Sequence, residues 1–224
     1  MDSLAVVGLT VIVVNDGSDA PTSDLLEQLS GRHDFLELVV RKANGGKGAA
    51  VKTGLRKADS LGFSHALQVD ADGQHDPGEI PAFLRESEAY PESLILGHPN
   101  FGEDVPRARL YGRQLSRIMV WMQTLSLQIA DPLFGFRVYP VKAAMRLMDR
   151  VSLGNRMDFD PEIAVRLYWQ GVNVRNMKAK VHYPEDGVSH FQVIHDNLRL
   201  SWLHTRLLLG MLLRAPKLLV RHWR

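Results

Sequence analysis

This chain predicts an α/β fold with a largely parallel sheet, and three observations carry that expectation. Apolar, β-branched runs alternate with helical stretches through the first hundred residues. The polar residues able to do chemistry fall at or just after the carboxyl ends of those runs, where open parallel sheets bind ligands. At 224 residues the chain is also long enough for one domain with a full core.

The elements follow in order. Thr10 to Val14 is a β-branched strand that empties into the turn Asn15-Asp16-Gly17-Ser18-Asp19. Pro21 to Leu29 reads as a helix and Leu36 to Val40 as a second strand. Gly45-Gly46-Lys47-Gly48 then opens a helix, Ala49 to Leu61. Ala66 to Val69 is a third strand, and it ends abruptly in two carboxylates one residue apart, Asp70 and Asp72. Such a pair suits a divalent cation: Mg2+ and Mn2+ prefer oxygen ligands, and Mg2+ is usually shared between one or two carboxylates and substrate phosphates. Gln74 adds an amide oxygen to the set. The plainer alternative is an acidic turn. It accounts for Asp76 and Glu79, an N-cap and a capping-box glutamate around Pro77, and leaves Asp70 and Asp72 unexplained.

Pro77 to Ala89 is the next helix and Leu94 to Leu96 a fourth strand. Pro106 to Gln128 is a long helix on which Arg109, Arg113 and Arg117 share one face. Residues 131–139 form a loop entering a strand. Asp160 to Gln170 is a helix, and Val172 to Val174 and Lys178 to Tyr183 are short strands. From Gln192 onward the pattern is helical, with Trp202, Leu203, Leu207, Leu208, Met211 and Leu212 set among basic residues.

Composition narrows the chemistry. With no cysteine, disulfides and thiolate metal sites are excluded. The start lacks the basic segment of a signal peptide, and no apolar run approaches the roughly 20 residues of a membrane span. The expectation is a cytoplasmic protein. Net charge is only +2, yet the last thirty residues hold Arg199, Arg206, Arg214, Lys217, Arg221 and Arg224 against Asp196 alone. That asymmetry calls for an anionic partner, a membrane surface or nucleic acid.

The ordered set Asn15-Asp16-Gly17-Ser18-Asp19, Asn44-Gly45-Gly46-Lys47-Gly48, Asp70-Ala71-Asp72-Gly73-Gln74-His75 and Gly135-Phe136-Arg137 resembles the family-2 glycosyltransferases with a GT-A fold, above all the polyprenyl- and dolichyl-phosphate sugar synthases and related bacterial enzymes. The resemblance implies a three-layer sandwich around a mostly parallel central sheet over residues 1–191, with 192–224 as an amphipathic, basic helical segment. It implies an inverting transferase that moves a sugar from a nucleotide-diphospho-sugar to a lipid or lipid-linked acceptor. On that basis Asp16 holds the nucleobase or ribose edge and Lys47 lies near the nucleotide. Asp70, Asp72 and Gln74 bind Mg2+ or Mn2+ and through it the diphosphate, and Arg137 contacts a phosphate. A cation there counters the charge that develops on a nucleoside diphosphate leaving group. Transfer to a hydroxyl needs a general base, and Asp160 is the candidate, with Asp131 second. Both precede proline, so each also reads as a helix N-cap. A phosphate acceptor is already anionic and needs no strong base. The partner at the basic end is then a lipid surface on the cytoplasmic face of a membrane, not nucleic acid.

Two departures from the family pattern stand out. Members open with a strand, central in the sheet, and a helix before the Asp-Gly-Ser turn, whereas here Thr10 already begins the strand that leads into that turn. The expectation is a shortened start, with weaker donor binding and lower stability. At Pro184-Glu185-Asp186-Gly187-Val188-Ser189-His190 the lipid-phosphate synthases tend to carry Arg-x-x-Gly-x-Ser-Lys. Pro184 here replaces a bidentate phosphate clamp. Two rival readings follow. One is a nucleotidyltransferase, which would place its glycine-rich basic loop directly after the first strand. The other is a non-catalytic nucleotide-binding or membrane-associated relic.

Overall fold

The structure is a computed structural model that describes residues 8–100, 107–181 and 193–221. The motif at 184–190 and Arg224 lie outside those residues. In chain order the elements are β1 (Val11–Asn15), α1 (Ala20–Arg32), β2 (Leu36–Val40), α2 (Lys47–Ser60), β3 (His65–Gln68), a 3-10 turn (Pro77–Glu79) with α3 (Ile80–Ala89), and β4 (Ser93–Asn100). Then come α4 (Arg107–Thr124), β5 (Arg137–Pro140), α5 (Val141–Arg150), α6 (Phe159–Trp169), β6 (Asn173–Lys180), α7 (Val193–Leu212) and α8 (Ala215–Arg221).

Local chemistry explains the boundaries. Asp19 caps α1 by accepting from Thr22 N at 3.0 Å, and Pro21 follows inside the helix. Asp76 accepts from Gly78 N at 2.8 Å and starts the 3-10 turn, so the acidic-turn reading holds for this aspartate. Helix α5 was not expected from the sequence. It has no side-chain cap and rests instead on its buried face of Val141, Ala143, Ala144, Leu147 and Met148. Strand β6 is one strand where two were expected, held along its length by parallel pairing to β4 from Ser93–Asn173 to Asn100–Lys180.

The strands make two sheets. Strands β1 and β2 pair in parallel, Val11 opposite Leu36. The second sheet runs β3-β5-β4-β6, with β5 antiparallel to both neighbours and β4 parallel to β6. Within it β5 is the reversed strand, so β3, β4 and β6 run the same way. Helix α2 packs on both β1 and β3, yet these two strands do not pair with each other. The single continuous sheet expected from the sequence is therefore divided between β1 and β3, each of which has one edge without a strand partner among the described residues. The consequence is visible in burial. Leu94, Ile95 and Leu96 of β4 are fully buried, whereas β3 and most of β1 are only half-buried.

The main core joins α2, α4, α5, α6 and the inner faces of α7 and α8, through Leu55, Val120, Leu147, Phe159, Ile163, Leu203, Leu207 and Leu218. The segment from Val193 is thus packed on the rest of the fold along one side. A smaller cluster, with Phe83, Ile95, Phe136 and Val138, lies under β4 and β5.

Candidate active site

The glycine-rich turn and the ends of β1 and β3 meet at one rim. Asp16, just after β1, does not serve its own turn. That work falls to Asn15, whose Oδ1 accepts from Ser18 N at 2.9 Å. The Asp16 carboxylate reaches the glycine turn, accepting from Gly45 N at 3.0 Å and Gly46 N at 2.7 Å, and it pairs with Arg41 Nε at 2.6 Å. Arg41 continues to Thr53 Oγ1 at 2.7 Å and so fixes the turn to α2. Gly46 has φ +91°, a conformation that disfavours any side chain. Arg41 was not singled out from the sequence; its partner lies 25 residues away and left no local signal.

Lys47, the first residue of α2, is the centre of the site. Its Nζ lies 2.6 Å from Asp70 Oδ2 and 2.6 Å from Asp160 Oδ2. Lys47, which the resemblance places near the nucleotide, keeps only 21% of its side chain exposed. Burial alone would lower its pKa, but Asp160 and Asp70 outweigh burial and hold the ammonium above its ordinary value. Burial likewise works to raise the Asp70 carboxyl. His75, Lys47 and Gln68 reverse it, so the group is held well below the usual carboxylate range. His75 Nε2 stands 3.9 Å from Asp70 Oδ2, beyond hydrogen-bond reach, so Lys47 is the stronger partner. Asp70 is oriented from behind by a short relay: Tyr139 OH donates to Gln68 Oε1 at 2.8 Å, and Gln68 Nε2 donates to Asp70 Oδ1 at 3.1 Å. Gly135 backs directly onto this carboxylate, and a Cβ there would overlap Asp70 Oδ2, which accounts for the glycine of Gly-Phe-Arg.

Asp160 is almost fully buried. It is not an N-cap: α6 starts at Phe159, and Asp160 turns its carboxylate to Lys47 from inside the first turn. Its Oδ1 is buried without a hydrogen-bond partner, 3.8 Å from Arg137 Nη1. Asp131 is placed differently. Its Oδ1 accepts from Leu133 N at 2.9 Å and its Oδ2 pairs with Arg113 of α4 at 3.0 Å, the contacts of a loop anchor.

Arg137, expected at a phosphate, is fully buried and donates to Phe134 O at 2.6 Å, Pro132 O at 2.6 Å and Asp160 O at 2.7 Å. These carbonyls belong to an irregular buried loop that would otherwise lack partners. The guanidinium organises residues 132–134 and the backbone of Asp160, and it presents no exposed face to a ligand. Arg113 and Arg117, expected to share one face of the helix, are also engaged: Arg113 by Asp131, and Arg117 by stacking over Trp121 at 4.5 Å. The outer stripe of α4 is apolar instead, with Tyr111, Leu115, Ile118 and Met122 exposed.

Asp72 is exposed, and its Oδ1 accepts from Gln74 N at 3.0 Å, closing a two-residue turn. Among the described residues no three histidine, aspartate or glutamate side chains cluster as a metal site. Asp70, Asp72 and the Gln74 amide, the residues expected to hold a cation, are all oxygen donors by chemistry, and both Asp70 oxygens are engaged here, Oδ2 by Lys47 and Oδ1 by Gln68. An all-oxygen set fits Mg2+ or Mn2+, whose remaining positions are ordinarily filled by water and substrate phosphate. It does not fit a soft metal.

The chain matches the family model described as Glycosyl transferase family 2 over residues 3–149. It is 23% identical over 191 residues to the UDP-N-acetylglucosamine–dolichyl-phosphate N-acetylglucosaminyltransferase of Methanococcus voltae, covering 78% of this chain and 75% of that one. It is 27% identical over 136 residues to the undecaprenyl-phosphate mannosyltransferase of Micrococcus luteus, covering 58% and 54%. Glucosyl-3-phosphoglycerate synthase from Mycobacterium tuberculosis, in complex with Mn2+ and UDP-glucose, superposes with a TM-score of 0.61 at 13% identity, over 89% of this chain and 67% of that one. At that identity the likeness speaks for a shared fold.

Proposed function

The chain belongs to glycosyl transferase family 2, and from that premise we propose that it transfers a sugar, with inversion, from a nucleoside-diphosphate sugar to a lipid phosphate at a membrane surface, aided by a divalent cation. The observation that carries this reading is Lys47 held between Asp70 and Asp160 at the mouth of β3. With two carboxylates on one ammonium, this strand end would receive a diphosphate leaving group only together with a cation, beside which Lys47 would donate to it. Asp70, Asp72 and Gln74 would hold Mg2+ or Mn2+, which supplies further charge compensation to that leaving group. Asp16, with Gly45 and Gly46, forms the floor on which the nucleoside would lie. The relatives named for dolichyl- and undecaprenyl-phosphate support the acceptor class.

With a phosphate acceptor the attacking oxygen is already anionic, so Asp160 serves by aiming Lys47. A hydroxyl acceptor is the second reading. It is favoured by the buried Asp160 Oδ1, an acceptor atom without a hydrogen-bond partner. A peripheral position at a membrane is supported by the exposed apolar residues of α4 and by Leu198, Trp202, Leu209 and Leu212 of α7, flanked by Arg199 and Arg206. No described helix is long and apolar enough to cross a bilayer.

Titration with UDP- and GDP-sugars, with and without Mn2+, tests the reading together with an assay of nucleotide release in the presence of a polyprenyl phosphate. Mn2+-dependent binding and acceptor-dependent release are the expected results. Binding without turnover and without metal would favour a non-catalytic relic.

A further inference from the structure

Glu162 lies two residues beyond Asp160 and is fully buried. A carboxylate so enclosed needs partners on both oxygens. Oε2 accepts from Gly154 N at 2.8 Å, and Oε1 accepts from Arg166 Nε at 2.8 Å and from Arg206 at 2.7 Å. Arg166 belongs to the same helix, whereas Arg206 comes from α7 and Gly154 from the loop between α5 and α6. This one group therefore joins three parts of the fold.

The loop it holds is the wall behind the glycine turn. Ala49 N donates to Asn155 O at 2.9 Å, and Lys52 Nζ donates to Leu153 O at 2.8 Å and Asn155 Oδ1 at 2.6 Å. A Cβ on Gly46 would come within 2.9 Å of Asn155 O. The position of residues 152–156 thus fixes where Gly46, Lys47 and the start of α2 sit. On its other side the loop and α7 border an open hollow of about 210 Å3, lined by Gly154, Asp158, Trp202 and Arg206. The packing between loop and α7 is therefore incomplete, and the ion pair supplies the connection that packing does not.

We propose that Glu162 is a positioning residue through which Arg206 on α7 sets the loop at 152–158 and, with it, the glycine turn at 45–48. Arg206 keeps 41% of its side chain exposed, and Glu162 Oε1 keeps Arg166 as a partner when Arg206 is replaced. The inference rests on the reading of 45–48 as the donor turn only for its functional consequence; the mechanical coupling is independent of any ligand.

The test is hydrogen exchange followed by mass spectrometry on the full chain, comparing Arg206→Gln with Arg206→Lys. In Arg206→Gln, peptides covering 152–158 and 45–48 are expected to exchange about 10- to 100-fold faster, the loss of one hydrogen bond to a buried charge. Peptides from β4 and α4 should keep wild-type rates, and Arg206→Lys should recover most of the protection. A rise confined to α7, or one spread evenly over the core, overturns the proposal. Calorimetry with UDP and Mn2+ gives the second readout: Arg206→Gln is expected to weaken binding about tenfold. If the wild type binds no nucleotide at all, the functional reading fails while the exchange result still decides the coupling.

Discussion

Lys47→Met is expected to cost the protein both its fold margin and its donor site. The substitution keeps most of the length of the side chain and removes the charge, leaving Asp70 and Asp160 facing each other with no ammonium between them. Breaking a buried ion pair by deleting one partner costs about 3–5 kcal/mol. The lower end applies here, since Lys47 and Asp70 each keep about a fifth of their side chains exposed and water screens part of the repulsion. A loss of about 3 kcal/mol corresponds to a melting temperature lower by about 6–12 °C for a domain of this size.

The pH dependence identifies the cause. In the wild type the Asp70 carboxyl is held below its ordinary value, so its contribution is full above the unfolded carboxylate value of about 3.9 and is lost as pH falls through the folded one. The Lys47 ammonium is held above its ordinary value, so its contribution is full below about 10.4 and is lost as pH rises through the folded one. The pair is thus at full strength between these limits. In Lys47→Met two like charges share the pocket and one of them takes up a proton readily. The deficit against wild type should therefore shrink as pH is lowered from 7 toward 4. Melting curves across that range check it, and a deficit independent of pH would point to lost packing rather than unpaired charge.

How much of this was legible in the sequence depends on how far apart the partners lie. The strand end at Asp70 and Asp72 was readable because an apolar run stops abruptly at two acids, and the fold class because strands and helices alternate. Asp160 was readable as a candidate and not as a geometry: an aspartate before proline is ordinarily a cap, and only the tertiary position of α6 turns its carboxylate to Lys47. The role of Arg137 was misread because an arginine after Gly-Phe suggests an anion. The carbonyls of Pro132 and Phe134 that it satisfies become a demand only once their loop is buried. Glu162 and Arg206 lie 44 residues apart, and nothing near either announces the other. Helix α5 was missed for the opposite reason. Its apolar residues Val141, Ala144, Leu147 and Met148 do recur at helical spacing, but it lacks a side-chain cap and follows directly on β5, so no start signal separates it from the strand.

Asp72→Ala separates the metal hypothesis from everything that merely holds the fold. Asp72 is exposed, and its one hydrogen bond among the described residues is the local turn to Gln74 N. Its replacement should change stability by no more than about 0.5 kcal/mol, as for surface positions in general. The Lys47–Asp70–Asp160 cluster does not include it, so the fixed positive charge at the site survives. What disappears is one of the two carboxylates proposed to hold the cation. Residues that only orient metal ligands cost about 10- to 100-fold in affinity or activity. A direct ligand should cost at least the upper end of that range. The expected result is a protein with a wild-type melting temperature whose Mn2+-dependent affinity for a nucleoside-diphosphate sugar falls about 100-fold. Its residual metal-free affinity, carried by Lys47 and the Asp16 floor, should be unchanged. Calorimetric titrations with and without Mn2+ measure both. Equal loss in the two conditions would assign Asp72 to the nucleotide itself, and no loss in either would remove the cation from the acidic strand end.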